Sequence, residues 1–405
     1  MFASHVTRRT AVAVIALGSV LLLGNGPVRA EDVIKVGAPL PLTGPLSPEG
    51  LKQKRGYDLW AAAANAKGGI KAGGKTYRVE IVYVDYASNT PRAVQSAERL
   101  ITEDKVSFLF APFGSGATKA ASAISEKYQI PMLAPSASSQ EIFDQGFKYI
   151  FSTLTGNETV SVPIAKLVAA RNKSIKRVAV LARNDLFPLA VAQEFEKAVK
   201  AEGMEVVAAE RYAIGAMDHS AAITKMRGVN PDWVYASGYI NDLMLIRRQM
   251  NDLGLKAPVI TMIAGPAYAE FAKTVGPLAD NVTSMSWWHP ALRYKGPDVF
   301  GSTEAFNAAY AKANNGAEAD YIEAGSAACG AILQMAIEKA GTVEPAKVRD
   351  AIAATDTDTF YGHVRFNAGG QINSLQPPVF QLEGGKVVLL WPDAIKTGEL
   401  KFIPK

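Results

Sequence analysis

The chain has 405 residues, a net charge of +5 from 43 basic and 38 acidic side chains, and a single cysteine. Three of the arginines and no acid fall in the first thirty residues, so the remainder is close to neutral at +2. No dense Lys/Arg block stands outside that stretch, which argues against a nucleic-acid partner, and Cys329 alone cannot form an intramolecular disulfide.

His5, Arg8 and Arg9 precede an uncharged apolar run over 11–23, and Val28, Arg29 and Ala30 form a small-x-small pattern ahead of Glu31. Positive, apolar, then small is the order of a secretory signal peptide. The run is shorter than the roughly 20 residues that span a bilayer, which disfavours an uncleaved anchor. The sequence therefore predicts a signal peptide over 1–30, a mature chain starting near Glu31, and a periplasmic location. Its length suits two domains with cores large enough to stand without disulfide staples. Cys329, inside a run of Gly, Ser and Ala, is expected to be buried as a small apolar residue.

From residue 33 onward strands and helices alternate. A strand over 34–38 leads to an alanine-rich helix over 57–66 that stops at Gly68 and Gly69. A strand over 79–85 follows, then a helix started by Asn89, Thr90 and Pro91, a strand over 107–110, a helix over 118–127 and a strand over 130–133. The second half repeats this with strands at 177–181, 205–207, 233–236 and 259–262, and helices at 190–201, 220–226, 242–253 and 268–275. Helices over 303–312 and 322–340 come next, and 379–390 reads as a terminal hairpin around Gly384 and Gly385. Strands separated by helices imply parallel sheets covered on both faces. The fold class expected is α/β, two doubly wound parallel-sheet lobes, with a ligand site in the cleft between them.

The chain carries no P-loop, G-x-S-x-G, H-E-x-x-H or His/Cys cluster, so neither an enzyme nor a bound cofactor or metal is expected. Binding signals are concentrated instead in four turns. Phe113, Gly114, Ser115 and Gly116 lie between a strand and a helix, where backbone amides favour a carboxylate; Ser115 could equally cap its own helix. A second turn holds Ser136, Ala137 and Ser138, with Glu141 at capping-box spacing from Ser138. From the second half, Phe187 and Tyr239 each follow a strand, where their rings could cover an apolar ligand body or pack on their own lobe.

These features, with 36–45, 65–70, 234–239 and 360–362, resemble the periplasmic solute-binding proteins of the branched-chain amino-acid (leucine/isoleucine/valine-binding) family, which serve ATP-driven importers. The resemblance covers essentially the whole mature chain. It implies a type I periplasmic binding protein fold with three crossing strands, near 152–154, 286–288 and 361–364. The lobes would then comprise 31–153 plus 288–362 and 154–287 plus 363–405. It also implies a carboxylate held at Ser115 and at Ser136, Ala137 and Ser138, aromatic closure by Phe187 and Tyr239, a membrane permease as partner, and a monomer.

One departure matters. Relatives that bind amino acids offer an acid to the ligand's ammonium from the second lobe, and the matching position falls near Ala264, where no acid stands. An ammonium buried without a counter-charge is costly. Glu49 could compensate from the first lobe or be a solvated loop residue, and Trp287, Trp288 and His289 could line the cleft or pack a hinge. These features shift weight from an α-amino acid toward an aromatic or aliphatic organic acid. The alternative to an importer component is a periplasmic sensor that reports ligand to a receptor or regulator.

Overall fold

The structure is a computed structural model that describes residues 32–404; the signal peptide expected over 1–30 lies outside them. The elements run β1 (Asp32–Leu40), α1 (Ser47–Ala66), β2 (Ile70–Ala72), β3 (Lys75–Asp85), α2 (Thr90–Thr102), β4 (Phe108–Phe110), α3 (Ser115–Tyr128), β5 (Met132–Ala134) and β6 (Ile150–Ser152). They continue with α4 (Glu158–Arg171), β7 (Arg177–Arg183), α5 (Leu186–Ala201), β8 (Glu205–Tyr212), α6 (Ser220–Gly228), β9 (Trp233–Ser237), α7 (Ile240–Asp252), β10 (Val259–Ile263), α8 (Ala269–Val275) and β11 (Val282–Met285). The last are α9 (Thr303–Ala313), α10 (Tyr321–Ala340), α11 (Pro345–Ala353), β12 (Asp356–Thr359), β13 (Gly362–Arg365), β14 (Val379–Glu383) and β15 (Lys386–Trp391).

Two sheets result, in the orders β2-β3-β1-β4-β5-β6 and β15-β14-β11-β10-β9-β7-β8. Both are parallel except for β2 in the first and β14–β15 in the second. This is the expected α/β architecture of two lobes. Side-chain alternation covers both faces of each sheet: Val36, Ala38 and Phe110 pack with Tyr57, Trp60 and α10, while Leu109 and Met132 pack with α2 and α3. In the second sheet Val178 and Val180 face Phe195 of α5, and Ala179 and Leu181 face Ile246 and Met250 of α7. Cys329 is fully buried in α10, as expected.

Strand order fixes where loops gather. In the first sheet β1 is flanked by β3 and β4, so the chain reverses direction of travel between β1 and β4. In the second, β7 is flanked by β8 and β9, and the reversal falls between β7 and β9. At such switch points the loops leaving adjacent strands diverge and open a crevice at the carboxyl ends. The loops concerned lead into α1 and α3 in one lobe and into α5 and α7 in the other. These loops and the first turns of the helices they enter carry Phe113 and Tyr239, and Glu49, Ser115 and Phe187, respectively.

The chain leaves the first sheet after Ser152 and the second after Met285. The third passage differs from the one expected at 361–364. Those residues turn into β13, which pairs antiparallel with β12. The chain then returns to the first sheet, where Gln371 bridges Ser152 in parallel, and reaches β14 only across 373–378. Gly362 at φ +126° makes the unexpected hairpin turn possible.

Candidate functional site

The serine turns are built from each other. Ser115 opens α3 fully buried, but does not cap its own helix; its Oγ accepts from the amides of Ser138 and Ser139, both at 3.3 Å. Ser136 is half-buried and its Oγ accepts weakly from Gly114 N–H at 3.5 Å. The buried Ala137 presents its carbonyl to Ser152 Oγ at 2.6 Å. The capping box expected between Ser138 and Glu141 is not formed. Ser138 Oγ reaches Asn157 Oδ1 at 2.7 Å, Glu141 pairs with Lys119, and a short 3-10 helix starts after Ser139. These bonds tie the two turns together, and helix geometry leaves the first-turn amides of α3 without partners inside the helix.

Aromatic rings continue from these turns across the cleft. Phe113 meets Tyr239 edge to face at 5.3 Å, Tyr239 lies 6.3 Å from Phe187, Phe187 lies 5.9 Å from Trp287, and Trp287 lies 5.3 Å from Tyr321. Tyr321 and Tyr268 share a hydroxyl–hydroxyl bond of 2.9 Å between the lobes. Tyr239 thus reaches the opposite lobe through Phe113, whereas Phe187 meets Tyr239 and Trp287. A Cβ placed on Gly114 would lie 3.0 Å from the Tyr239 hydroxyl, so glycine lets that ring approach. Arg183 holds the ring from behind: its guanidinium lies 4.9 Å over Tyr239 and bonds Asp242 at 2.7 Å.

Glu49 is not a loop residue. Pro48 sits in the first turn of α1, which begins ten residues earlier than expected and carries Glu49 into the cleft. Its side chain is fully buried. Oε1 accepts from Ile240 N–H of α7 at 3.2 Å, so a carboxylate from one lobe meets the positive end of a helix in the other. Burial pushes its carboxyl from 4.5 up to about 7, only partly offset by the Ile240 bond and by Lys52. The Oε2 atom has no hydrogen-bond partner among the described residues.

Lys52, one turn further along α1, was not singled out from the sequence because long polar side chains at helix spacing read as a solvated face. It is buried between Asp320 at 2.8 Å, Glu270 at 3.1 Å and Glu323 at 3.9 Å. Burial disfavours its ammonium, but those three carboxylates outweigh that and keep it charged. A cavity of about 860 Å³ opens here, lined by Lys52, Tyr268, Glu270, Trp288, His289 and Asp320, beside the serine turns rather than over them. Burial lowers the His289 imidazole to about 4. Trp287 lies within the ring chain, its Nε1 donating to Thr155 O at 3.1 Å, whereas Trp288 packs edge-on to Phe306.

Ala264 is buried at the carboxyl end of β10 with φ +78° and ψ −60°. That γ-turn conformation is strained for alanine. Among the described residues no cluster of His, Cys, Asp and Glu could hold a metal ion, and no helix is long and apolar enough to cross a membrane.

Comparison with known proteins agrees with this arrangement. Residues 33–386 match the family model described as periplasmic binding protein. The leucine-, isoleucine-, valine-, threonine- and alanine-binding protein of Pseudomonas aeruginosa is 28% identical over 353 residues, 87% of this chain and 90% of the relative. The solved structure of the branched-chain amino acid transporter substrate-binding protein LivJ of Streptococcus pneumoniae, in complex with isoleucine, superposes with a TM-score of 0.78 at 26% identity, covering 89% of this chain and all of that one. A solute-binding protein from R. palustris in complex with benzoate shares the fold at a TM-score of 0.75 and 21% identity, covering 92% and 98%. The chain belongs to the periplasmic binding protein family, whose members bind solutes and are not enzymes.

Proposed function

We propose that the chain is the extracytoplasmic substrate-binding component of an ABC importer of the branched-chain amino-acid type. It closes around a small carboxylate-bearing solute and presents it to a membrane permease, working as a periplasmic monomer after removal of residues 1–30. Its hinge is formed by 153–157, 286–288 and 373–378, which join the two sheets. The observation that carries this reading is the meeting of both switch points in one cleft, with Phe113 of one lobe against Tyr239 of the other. A ligand that touches both lobes selects the closed state because only that state offers all its contacts.

The carboxylate falls to the turns of Ser115, Ser136, Ala137 and Ser138, where α3 directs its first-turn amides. The apolar body falls among Phe113, Phe187 and Tyr239. Supporting this, the serine hydroxyls fix the two turns against each other, so the amides are held in place before any ligand arrives. The test is calorimetry and thermal shift with amino acids and with aromatic and aliphatic carboxylates, on protein freed of co-purified ligand. A carboxylate that binds, and whose carboxamide does not, supports the reading. Ligand-dependent capture of a permease supports the importer role, and capture of a sensor kinase instead would replace it.

A further inference from the structure

We infer that Glu270 and Lys52 form a latch between the lobes, a contact the protein makes with itself that favours the closed arrangement whether or not cargo is present. The latch involves none of the side chains assigned to the cargo, so it goes beyond the proposed function.

The pair spans the two sheets. Helix α1 follows β1 of the first sheet and packs on α10, whereas α8 stands between β10 and β11 of the second. Glu270, on α8, turns both carboxylate oxygens to the Lys52 ammonium of α1, at 3.1 and 3.2 Å. Two residues before it, the Tyr268 ring faces the same ammonium, its centroid 4.9 Å away. The Tyr268 hydroxyl bonds that of Tyr321, the first residue of α10, at 2.9 Å. One short stretch of the second lobe, 268–270, thus holds the first lobe at two points, one on α1 and one on α10.

The way the charges are shared makes this a latch rather than a fixed strut. Lys52 is buried, and its other partners, Asp320 at 2.8 Å and Glu323 at 3.9 Å, stand at the start of α10 on its own side of the cleft. When the lobes part, Lys52 keeps those two acids. The Glu270 side chain is already 53% exposed and returns fully to water. Breaking an ion pair is most costly when it leaves a charge buried and uncompensated, and opening here leaves none. A half-exposed pair of this kind biases an equilibrium by at most about fivefold. That is enough to tune closure without locking the lobes together. The cavity of about 860 Å³ is lined by both Lys52 and Glu270, so salt reaches the pair and weakens it by screening.

The test is single-molecule energy transfer on the protein freed of cargo. Dyes are carried by Arg92→Cys and Ala221→Cys, exposed positions in the first turns of α2 and α6, while the buried Cys329 stays unlabelled. The protein with the native Glu270 should exchange between a compact and an open population. Glu270→Gln should lower the compact-to-open ratio about threefold, and Glu270→Lys, which sets a second ammonium against Lys52, about tenfold. Raising salt from about 0.02 M to about 0.5 M should lower the native ratio about threefold and leave that of Glu270→Gln nearly unchanged. Urea midpoints of Glu270→Gln and the native protein should nearly coincide, since the latch joins two lobes that each keep their own core. Absence of a compact population, an equal ratio in all three proteins, or a large loss of urea stability in Glu270→Gln overturns the latch. No cargo is used, so each of those results leaves the carboxylate reading standing, and failure of carboxylates to bind in calorimetry overturns that reading alone.

Discussion

Raising the pH should open the unliganded protein, and Glu49→Gln should remove most of that response. In the closed arrangement burial lifts the Glu49 carboxyl from 4.5 to about 7. When the lobes part, the side chain meets water and returns toward its ordinary value. The closed form thus binds this proton more tightly than the open form. Its advantage is complete below the ordinary carboxylate range and is lost as the pH climbs through about 7. The difference between 4.5 and about 7 corresponds to about 3 kcal/mol, or a few hundredfold in the open-to-closed ratio. Burial and Glu323 also push Asp320 up to about 7 against the pull of Lys52, and burial lowers His289 to about 4. The slope of the wild type therefore sums several groups, and the difference from the variant isolates Glu49. A glutamine there still accepts from Ile240 N–H but never ionises. Small-angle scattering between about pH 5 and about pH 8, with Trp287 emission as a second probe, measures the shift. An unchanging radius in wild type, or the same slope in the variant, refutes the assignment of this titration to closure.

Ser115→Ala leaves two buried amides without an acceptor; because both bonds are long, the loss should be near the lower end of about 1–3 kcal/mol in urea denaturation. Lys52→Met strands Asp320 in the interior, whereas Glu323 keeps Arg55 and Tyr310, and should cost about 3–5 kcal/mol. Glu270→Ala, whose carboxylate is half exposed, should cost less than about 1 kcal/mol in the same assay. Arg183→Met unpairs Asp242 and frees the Tyr239 ring, so affinity measured by calorimetry should fall about tenfold although Arg183 touches Tyr239 rather than the serine turns.

Local pattern carried the fold and the placement of much of the candidate site. Strand–helix alternation places Ser115, Phe187 and Tyr239 at carboxyl ends of strands, because in a parallel sheet every βα turn emerges on that edge. The terminal hairpin and the burial of Cys329 were legible for similar reasons, one from paired glycines and one from a run of small residues. The beginning of α1 was not. Lys52, Gln53, Lys54 and Arg55 look like a solvated stretch, and only acids more than two hundred residues away, Glu270, Asp320 and Glu323, bury Lys52 and pair Arg55. The same blindness misplaced Glu49 as a possible loop residue. At Ser138 a local rule lost to a distant partner: capping-box spacing was present, yet Asn157 took the hydroxyl. The third passage between lobes was misplaced because the β12–β13 hairpin turns on one glycine, and nothing nearby in the sequence distinguishes a hairpin turn from a crossing strand.

The serine hydroxyls themselves leave little for a ligand. Ser115 Oγ already accepts two amides, Ser138 Oγ donates to Asn157, and Ser136 Oγ lies near Gly114 N–H. A carboxylate bound as proposed would rest on backbone donors, and Gly116, in the first turn of α3, offers one of them. Proline is tolerated in a helix's first turn, where it deletes an amide that has no partner in the helix. A Cβ at this position would meet Asp185 Oδ1 at 3.2 Å, a close contact that a side-chain tip can relieve. Gly116→Ala adds that Cβ and keeps the amide, whereas Gly116→Pro adds bulk and removes it. If amides carry the binding, the proline variant should bind carboxylate cargo about tenfold more weakly than the alanine variant, the worth of one charge-assisted hydrogen bond. Melting temperatures of the two should agree within a few degrees. Equal affinities in calorimetry would mean that the amide of Gly116 does not meet the carboxylate, and would move its recognition from α3 to the second turn.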